Sequence, residues 1–126
     1  MNDKQTQEET CKVSRWQLLK QKLNNLPPEV FKKAVETDAN GVLIDVRRPE
    51  EFATGYIAGA KNLDYLAYDF WDEVEQLDGT KNYYVYCRSG RRSLRACTLM
   101  QNGGFQNVFH LDGGLNAWEE ELESSN

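Results

Sequence analysis

Apolar residues along this chain gather into short continuous runs, separated by stretches whose apolar positions repeat at helical spacing. Residues 42–46 form one such run, broken by a single acid at Asp45. Residues 83–87 and 107–111 form two more, and a weaker run lies near 60–63. Runs this short and this apolar predict strands covered on both faces. The stretches between them, 49–53, 68–77, 93–102 and 115–122, have the length of helical crossovers. In the last, Leu115, Trp118 and Leu122 make a one-faced stripe. Pro27 and Pro28 can open an earlier helix whose buried face would use Val30, Phe31, Ala34 and Val35.

Helix punctuation agrees with this pattern. Pro49 followed by Glu50 and Glu51 supplies a preset φ and two negative charges to a first turn, while Gly79 and Gly103 stand where a left-handed C-terminal residue is expected. Strands alternating with helices predict right-handed crossovers, hence an α/β fold with a mainly parallel sheet flanked by helices on both faces. Ahead of it, residues 1–12 lack apolar periodicity and read as a flexible tail. Trp16, Leu19 and Leu23 then recur at helical spacing, predicting an appended amphipathic helix over 13–23 that ends at Asn24 and Asn25. The domain proper is expected over 24–123.

Size and charge narrow the function. With 126 residues the chain suits one compact domain. A formal charge of −5 repels a phosphate backbone, so nucleic acid is not an expected partner. The start of the chain is polar, and nothing approaches the roughly 20 apolar residues that span a bilayer, so neither a secretory signal nor a membrane partner is expected. Three cysteines, Cys11, Cys87 and Cys97, with one histidine, His110, are poor material for a disulfide framework or a zinc site. Free thiols survive best in a reducing compartment, which points to the cytoplasm.

The chemistry concentrates after the run 83–87, where Cys87 is followed by Arg88, Ser89, Gly90, Arg91, Arg92 and Ser93. A strand running into a helix through a short loop turns amides inward and makes a cradle of positive potential. A cysteine at its mouth is a candidate nucleophile, because the cradle favours thiolate over thiol. A helix terminus alone contributes roughly 0.3–2 kcal/mol, so convergent amides or arginines are needed as well. Three arginines within five residues of the sulfur, in an otherwise acidic chain, suggest an anionic substrate. Gly90 permits a left-handed turn, and Ser93 is a good helix-starting residue. Asp45 and Arg47 end another strand and should face the same edge of the sheet, where open parallel sheets bind ligands.

These residues resemble the active-site loop of single-domain rhodaneses. Leu43 to Phe52, continuing through Gly55 to Ala60, is similar to that family's first signature, and Leu111 to Trp118 to its closing one. The resemblance covers about residues 25–122 and implies a five-stranded parallel sheet. It also implies sulfur transfer through a Cys87 persulfide, from thiosulfate or a related small anionic donor to cyanide, a thiol or a protein persulfide acceptor, with no metal or organic cofactor. On that resemblance Arg88, Ser89, Gly90, Arg91, Arg92 and Ser93 bind the substrate. Asp45 and Arg47 support the site as an ion-pair network, and Arg92 could brace the loop against Asp45. Tyr56 departs from the family's usual histidine, and Ala58 from its common proline.

Two other readings compete. Cysteine-dependent phosphatases and arsenate reductases also lead a cysteine loop into a helix, but their arginine stands one residue further from the cysteine than Arg92 does, and Tyr86 rather than a histidine precedes Cys87. A non-catalytic module of the same fold, serving protein interaction or sulfur relay, is the third reading. Cys97 and the tyrosines read as core, Cys11 as a residue without a role, and His110 as too isolated in its strand to be a ligand or base.

Overall fold

A computed structural model describes residues 23–124. The elements in chain order are β1 (Asn24–Leu26), α1 (Pro28–Thr37), β2 (Gly41–Asp45), α2 (Pro49–Thr54), β3 (Lys61–Asn62), α3 (Phe70–Glu75), β4 (Asn82–Tyr86), α4 (Arg91–Asn102) and β5 (Asn107–Leu111), followed by a 3₁₀ turn at Gly114–Ala117. The five strands form one sheet in the order β1-β5-β4-β2-β3, and every neighbouring pair is parallel. The appended helix expected over 13–23, with Trp16 and Leu19, and also Cys11 fall outside the described residues, apart from Leu23.

This strand order places the site. The chain moves outward from β1 to β2 and β3, then returns through β4 to β5, so right-handed crossovers put α1 and α2 on one face and α3 and α4 on the other. The two cores agree. Ile44, Val46, Val85, Phe70, Val74, Leu94, Cys97 and Met100 pack together on the α3–α4 face. Leu43, Tyr84, Tyr86, Phe31 and Leu111 pack on the α1 face. The connections leaving the adjacent strands β2 and β4 therefore depart to opposite faces, which opens a crevice beyond their carboxyl ends.

Several expectations need correction. Asn24 and Asn25, expected only as a helix interruption, lie in edge strand β1, aligned with Phe109 and His110. Asparagine disfavours strands, and here long-range contacts outweigh that, with Asn24 Nδ2 donating to the Val108 carbonyl at 3.2 Å. The helix expected at 115–122 shortens to the 3₁₀ turn and the backbone is extended at Trp118. Three consecutive acids, Glu119 to Glu121, would otherwise crowd the negative end of a helix dipole. Leu122 is exposed, as is Val30 in α1. Neither Gly79 nor Gly103 has a positive φ; Gly104 takes that role. Tyr68 is fully exposed and not core. Among the described residues no helix is long and apolar enough to cross a membrane.

Candidate active site

β4 ends at Tyr86, so Cys87 is the first residue beyond the strand, and α4 begins at Arg91 with Gly90 as its N-cap. The loop turns tightly because Gly90 holds φ +98°, a left-handed conformation that side chains oppose. A Cβ there would also stand 3.4 Å from the His110 ring. The turn aims donors at the sulfur. Cys87 Sγ accepts from the Gly90 amide at 3.1 Å and the Ser93 amide at 3.4 Å, with Ser93 Oγ at 3.3 Å. Ser93 thus sits in the helix's first turn, its amide among the end groups that lack an intrahelical partner.

A second turn holds this loop from behind. The Leu115 amide donates to the Cys87 carbonyl and the Asn116 amide to the Arg88 carbonyl, each at 2.9 Å. The backbones come so close that a Cβ on Gly114 would lie 2.5 Å from the Cys87 oxygen. The paired glycines 113 and 114, both at positive φ, make that approach possible.

Outside the sulfur lies a cleft of about 390 Å³, lined by Cys87, Arg88, Ser89, Arg91, Arg92, Arg95, Tyr65, Leu66 and Glu51. Cys87 itself is 2% exposed, at the base of this opening. Four arginines face one carboxylate, so the mouth is cationic although the chain is acidic. Arg95, Tyr65 and Leu66 went unnoticed in the sequence. Helical periodicity could have found Arg95, one turn beyond Arg91; the other two come from the connection after β3 and needed the fold.

Arg92 does not reach Asp45 but pairs with Glu51 of α2, Nη1 to Oε1 at 2.7 Å. That hydrogen bond holds the Glu51 carboxyl below its ordinary range against the opposing effect of burial, and it raises Arg92. Asp45 is committed to Arg47 instead. Arg47 donates to Asp45 from Nε, at 3.1 Å to each oxygen, from Nη2 at 2.8 Å and from its backbone amide at 2.9 Å. Nη2 also reaches the Gly55 carbonyl. Burial opposes the Arg47 charge most strongly, yet the Asp45 contacts outweigh it and the guanidinium is held above its usual range. Both side chains are buried and neither lines the cleft. They fix the turn from β2 into α2, the helix that carries Glu51.

One other assignment looks different in three dimensions, that of His110, whereas Cys97, Tyr56 and Ala58 lie where the sequence placed them. His110 is not isolated: Nε2 lies 2.7 Å from Ser93 Oγ and Nδ1 2.7 Å from Asn25 Oδ1. It is the next-to-last residue of β5, where register sets it beside Val85, two residues before Cys87 on the same face. Cys97 is fully buried in the core, and burial pushes its thiol up. Tyr56 stacks on Phe52, ring centres 4.2 Å apart, and exchanges backbone hydrogen bonds with Glu123. Ala58 is exposed. Neither touches the cysteine cleft.

A parallel α/β sheet whose cysteine loop opens at the point where strand order reverses defines the class of protein. The chain belongs to the rhodanese-like domain family, which matches residues 27–121. It is 36% identical over 104 residues to YtwF of Bacillus subtilis, a proposed sulfurtransferase, covering 82% of this chain and 98% of that one. It is 32% identical over 99 residues to the thiosulfate sulfurtransferase GlpE of Stutzerimonas stutzeri, covering 79% and 87%. Its fold is similar to the crystal structure of a rhodanese-like domain protein from Staphylococcus aureus, with a TM-score of 0.72 and 26% identity over 82% of this chain and all of that one.

Proposed function

We propose that this protein is a cytoplasmic sulfurtransferase that carries sulfane sulfur as a persulfide on Cys87. The reading rests on the surroundings of Sγ: two inward amides and a hydroxyl within 3.4 Å, beneath a mouth of arginines. Donors fixed in this way stabilise an anion without having to reorganise during reaction. Cys97 is a poor rival, since it is sealed in the core with its thiol pushed up.

In the cycle, Cys87 thiolate attacks the outer sulfur of thiosulfate or a related anion. The new S–S bond forms as the donor's own S–S bond breaks, and sulfite departs with the bonding pair. Cys87 then bears a terminal sulfur anion, cradled by the Gly90 and Ser93 amides. Attack by an acceptor thiolate or cyanide on that outer sulfur returns Cys87 as thiolate. Arg88 and Arg91, both exposed at the cleft, draw in the donor. Arg92, tied to Glu51, holds the first turn of α4 in place.

Intact mass spectrometry after thiosulfate treatment tests this, comparing wild type with Cys87→Ser. The expected result is a gain of one sulfur atom in the wild type and none in the variant. Equal labelling of both would transfer the role to Cys11 or Cys97, and no labelling of either would remove thiosulfate transfer altogether.

A further inference from the structure

His110 is the only histidine in the chain, it is buried, and the cycle above makes no use of it. Its hydrogen bonds nevertheless lead to the sulfur. Asn25 Nδ2 donates to the Asp112 carboxylate at 3.2 Å. A carboxylate only accepts, so this contact orients the amide and leaves Oδ1, also an acceptor, facing His110 Nδ1 at 2.7 Å. The proton of that hydrogen bond therefore sits on Nδ1, and Nε2 is the nitrogen that titrates.

Nε2 lies 2.7 Å from Ser93 Oγ and 3.2 Å from the Gly90 carbonyl, and Ser93 Oγ is 3.3 Å from Sγ. The hydroxyl has one proton and three acceptors within reach, Nε2, Sγ and the Gly90 carbonyl at 3.2 Å, and two arrangements carry a proton along the series. With Cys87 as thiol, S–H donates to Oγ and the hydroxyl donates to Nε2, leaving the Gly90 carbonyl facing a nitrogen lone pair. With Cys87 as thiolate, the hydroxyl donates to sulfur, and Nε2–H donates to Oγ and the Gly90 carbonyl. Both senses give every donor an acceptor, but only the second turns an N–H and not a lone pair towards the Gly90 carbonyl, which also accepts from the Leu94 amide.

We propose that His110 is a positioning residue that takes up the Cys87 proton through Ser93, so that the nucleophile is a thiolate held in a relay with an imidazolium. This rests on the reading of Cys87 as sulfur carrier. In the step an S–H bond breaks and Ser93 gives its own proton to Nε2 while receiving that of the thiol. No proton enters or leaves the protein, and nothing is oxidised or reduced. The titratable groups joined to the ring include Cys87 at one end, from the loop after β4, and Asp112 beyond Asn25, from the loop after β5. β1 contributes the neutral Asn25. α4 contributes the neutral Ser93 and, at the cleft, the cations Arg91 and Arg92, which favour the thiolate end.

Because the imidazole is the only one in the chain, its two nitrogen resonances in an NMR titration cannot be confused with those of another histidine. The neutral ring is expected to carry its proton on Nδ1. Cys87→Ala should move the imidazole midpoint to lower pH by about one unit, the coupling at which two sites titrate as a pair. His110→Asn should move the pH midpoint of Cys87 alkylation by iodoacetamide upward by about the same amount. A neutral ring protonated on Nε2, or midpoints that do not move, would overturn the proposal. Should His110→Asn not fold, wild type before and after alkylation of Cys87 gives the same comparison. None of these measurements uses a sulfur donor. Coupled titration without sulfur uptake would refute only the transferase reading, and sulfur uptake without coupling would refute only this one.

Discussion

Replacing Gly114 by alanine tests whether the turn after β5 sets the position of the cysteine loop. At φ +59° an L-residue loses roughly 1–2 kcal/mol to left-handed backbone strain. The added Cβ would also lie 2.5 Å from the Cys87 carbonyl oxygen, 2.6 Å from the Arg88 oxygen and 2.7 Å from the Arg88 carbonyl carbon. All three are backbone atoms, so no side-chain rotation relieves the contact, and overpacking of this kind costs about 1–3 kcal/mol more. Gly59 supplies the control: it has φ +88°, and nothing lies within 4 Å of its added Cβ, so Gly59→Ala incurs only the strain. Urea denaturation should therefore place Gly114→Ala below Gly59→Ala by about 1–3 kcal/mol. Sulfur uptake is the second readout. Relieving the clash drags the Cys87 and Arg88 carbonyls away from the Leu115 and Asn116 amides that hold them, and a displacement of about 1 Å at a reacting group can cost about 10²-fold in rate. Gly59→Ala should load sulfur normally. Equal destabilisation by the two substitutions would refute the close approach, and normal sulfur uptake by Gly114→Ala would refute its bearing on the site.

Two further predictions concern the charges around the loop. Asp45→Asn leaves the Arg47 guanidinium, 2% exposed, without its counter-ion, and breaking a buried pair from one side costs about 3–5 kcal/mol; urea denaturation should show that loss, and a change under about 1 kcal/mol would mean that the pair does not hold the turn after β2. Glu51, whose carboxyl Arg92 holds below its ordinary range, contributes stability above the unfolded value of about 4.3 and loses it as pH falls through the lower folded value. The partly exposed pair contributes at most about 1 kcal/mol, so wild type should exceed Glu51→Gln by up to that amount at neutral pH and converge with it in acid, whereas a difference that persists at about pH 2 would point to packing and not charge.

The element pattern was legible along the chain wherever local physics decides it. Apolar runs near 42–46, 83–87 and 107–111 correspond to β2, β4 and β5 within a residue at each end, because strands buried on both faces leave a continuous signature. Pro28 and Pro49 occupy the first turns of α1 and α2 for an equally local reason. The loop of Cys87, Gly90 and Ser93 was readable too, since one tight strand-to-helix connection brings together residues close in sequence. β1 was not: three residues including two asparagines carry no strand signal, and they pair only once β5 is present.

By itself the sequence determined an α/β fold, with a cysteine at the end of a buried strand and a basic loop after it, because those features depend on residues a few positions apart. Only the tertiary structure decided which groups meet around that cysteine. Arg92 finds Glu51 and not Asp45, Gly114 lies against the Cys87 carbonyl, and Asn25, His110 and Ser93 line up behind the sulfur from three different elements. Contacts such as Asn25 with His110, 85 residues apart, depend on strand order and register. No periodicity or local propensity encodes them, since they arise only when the sheet brings distant segments side by side.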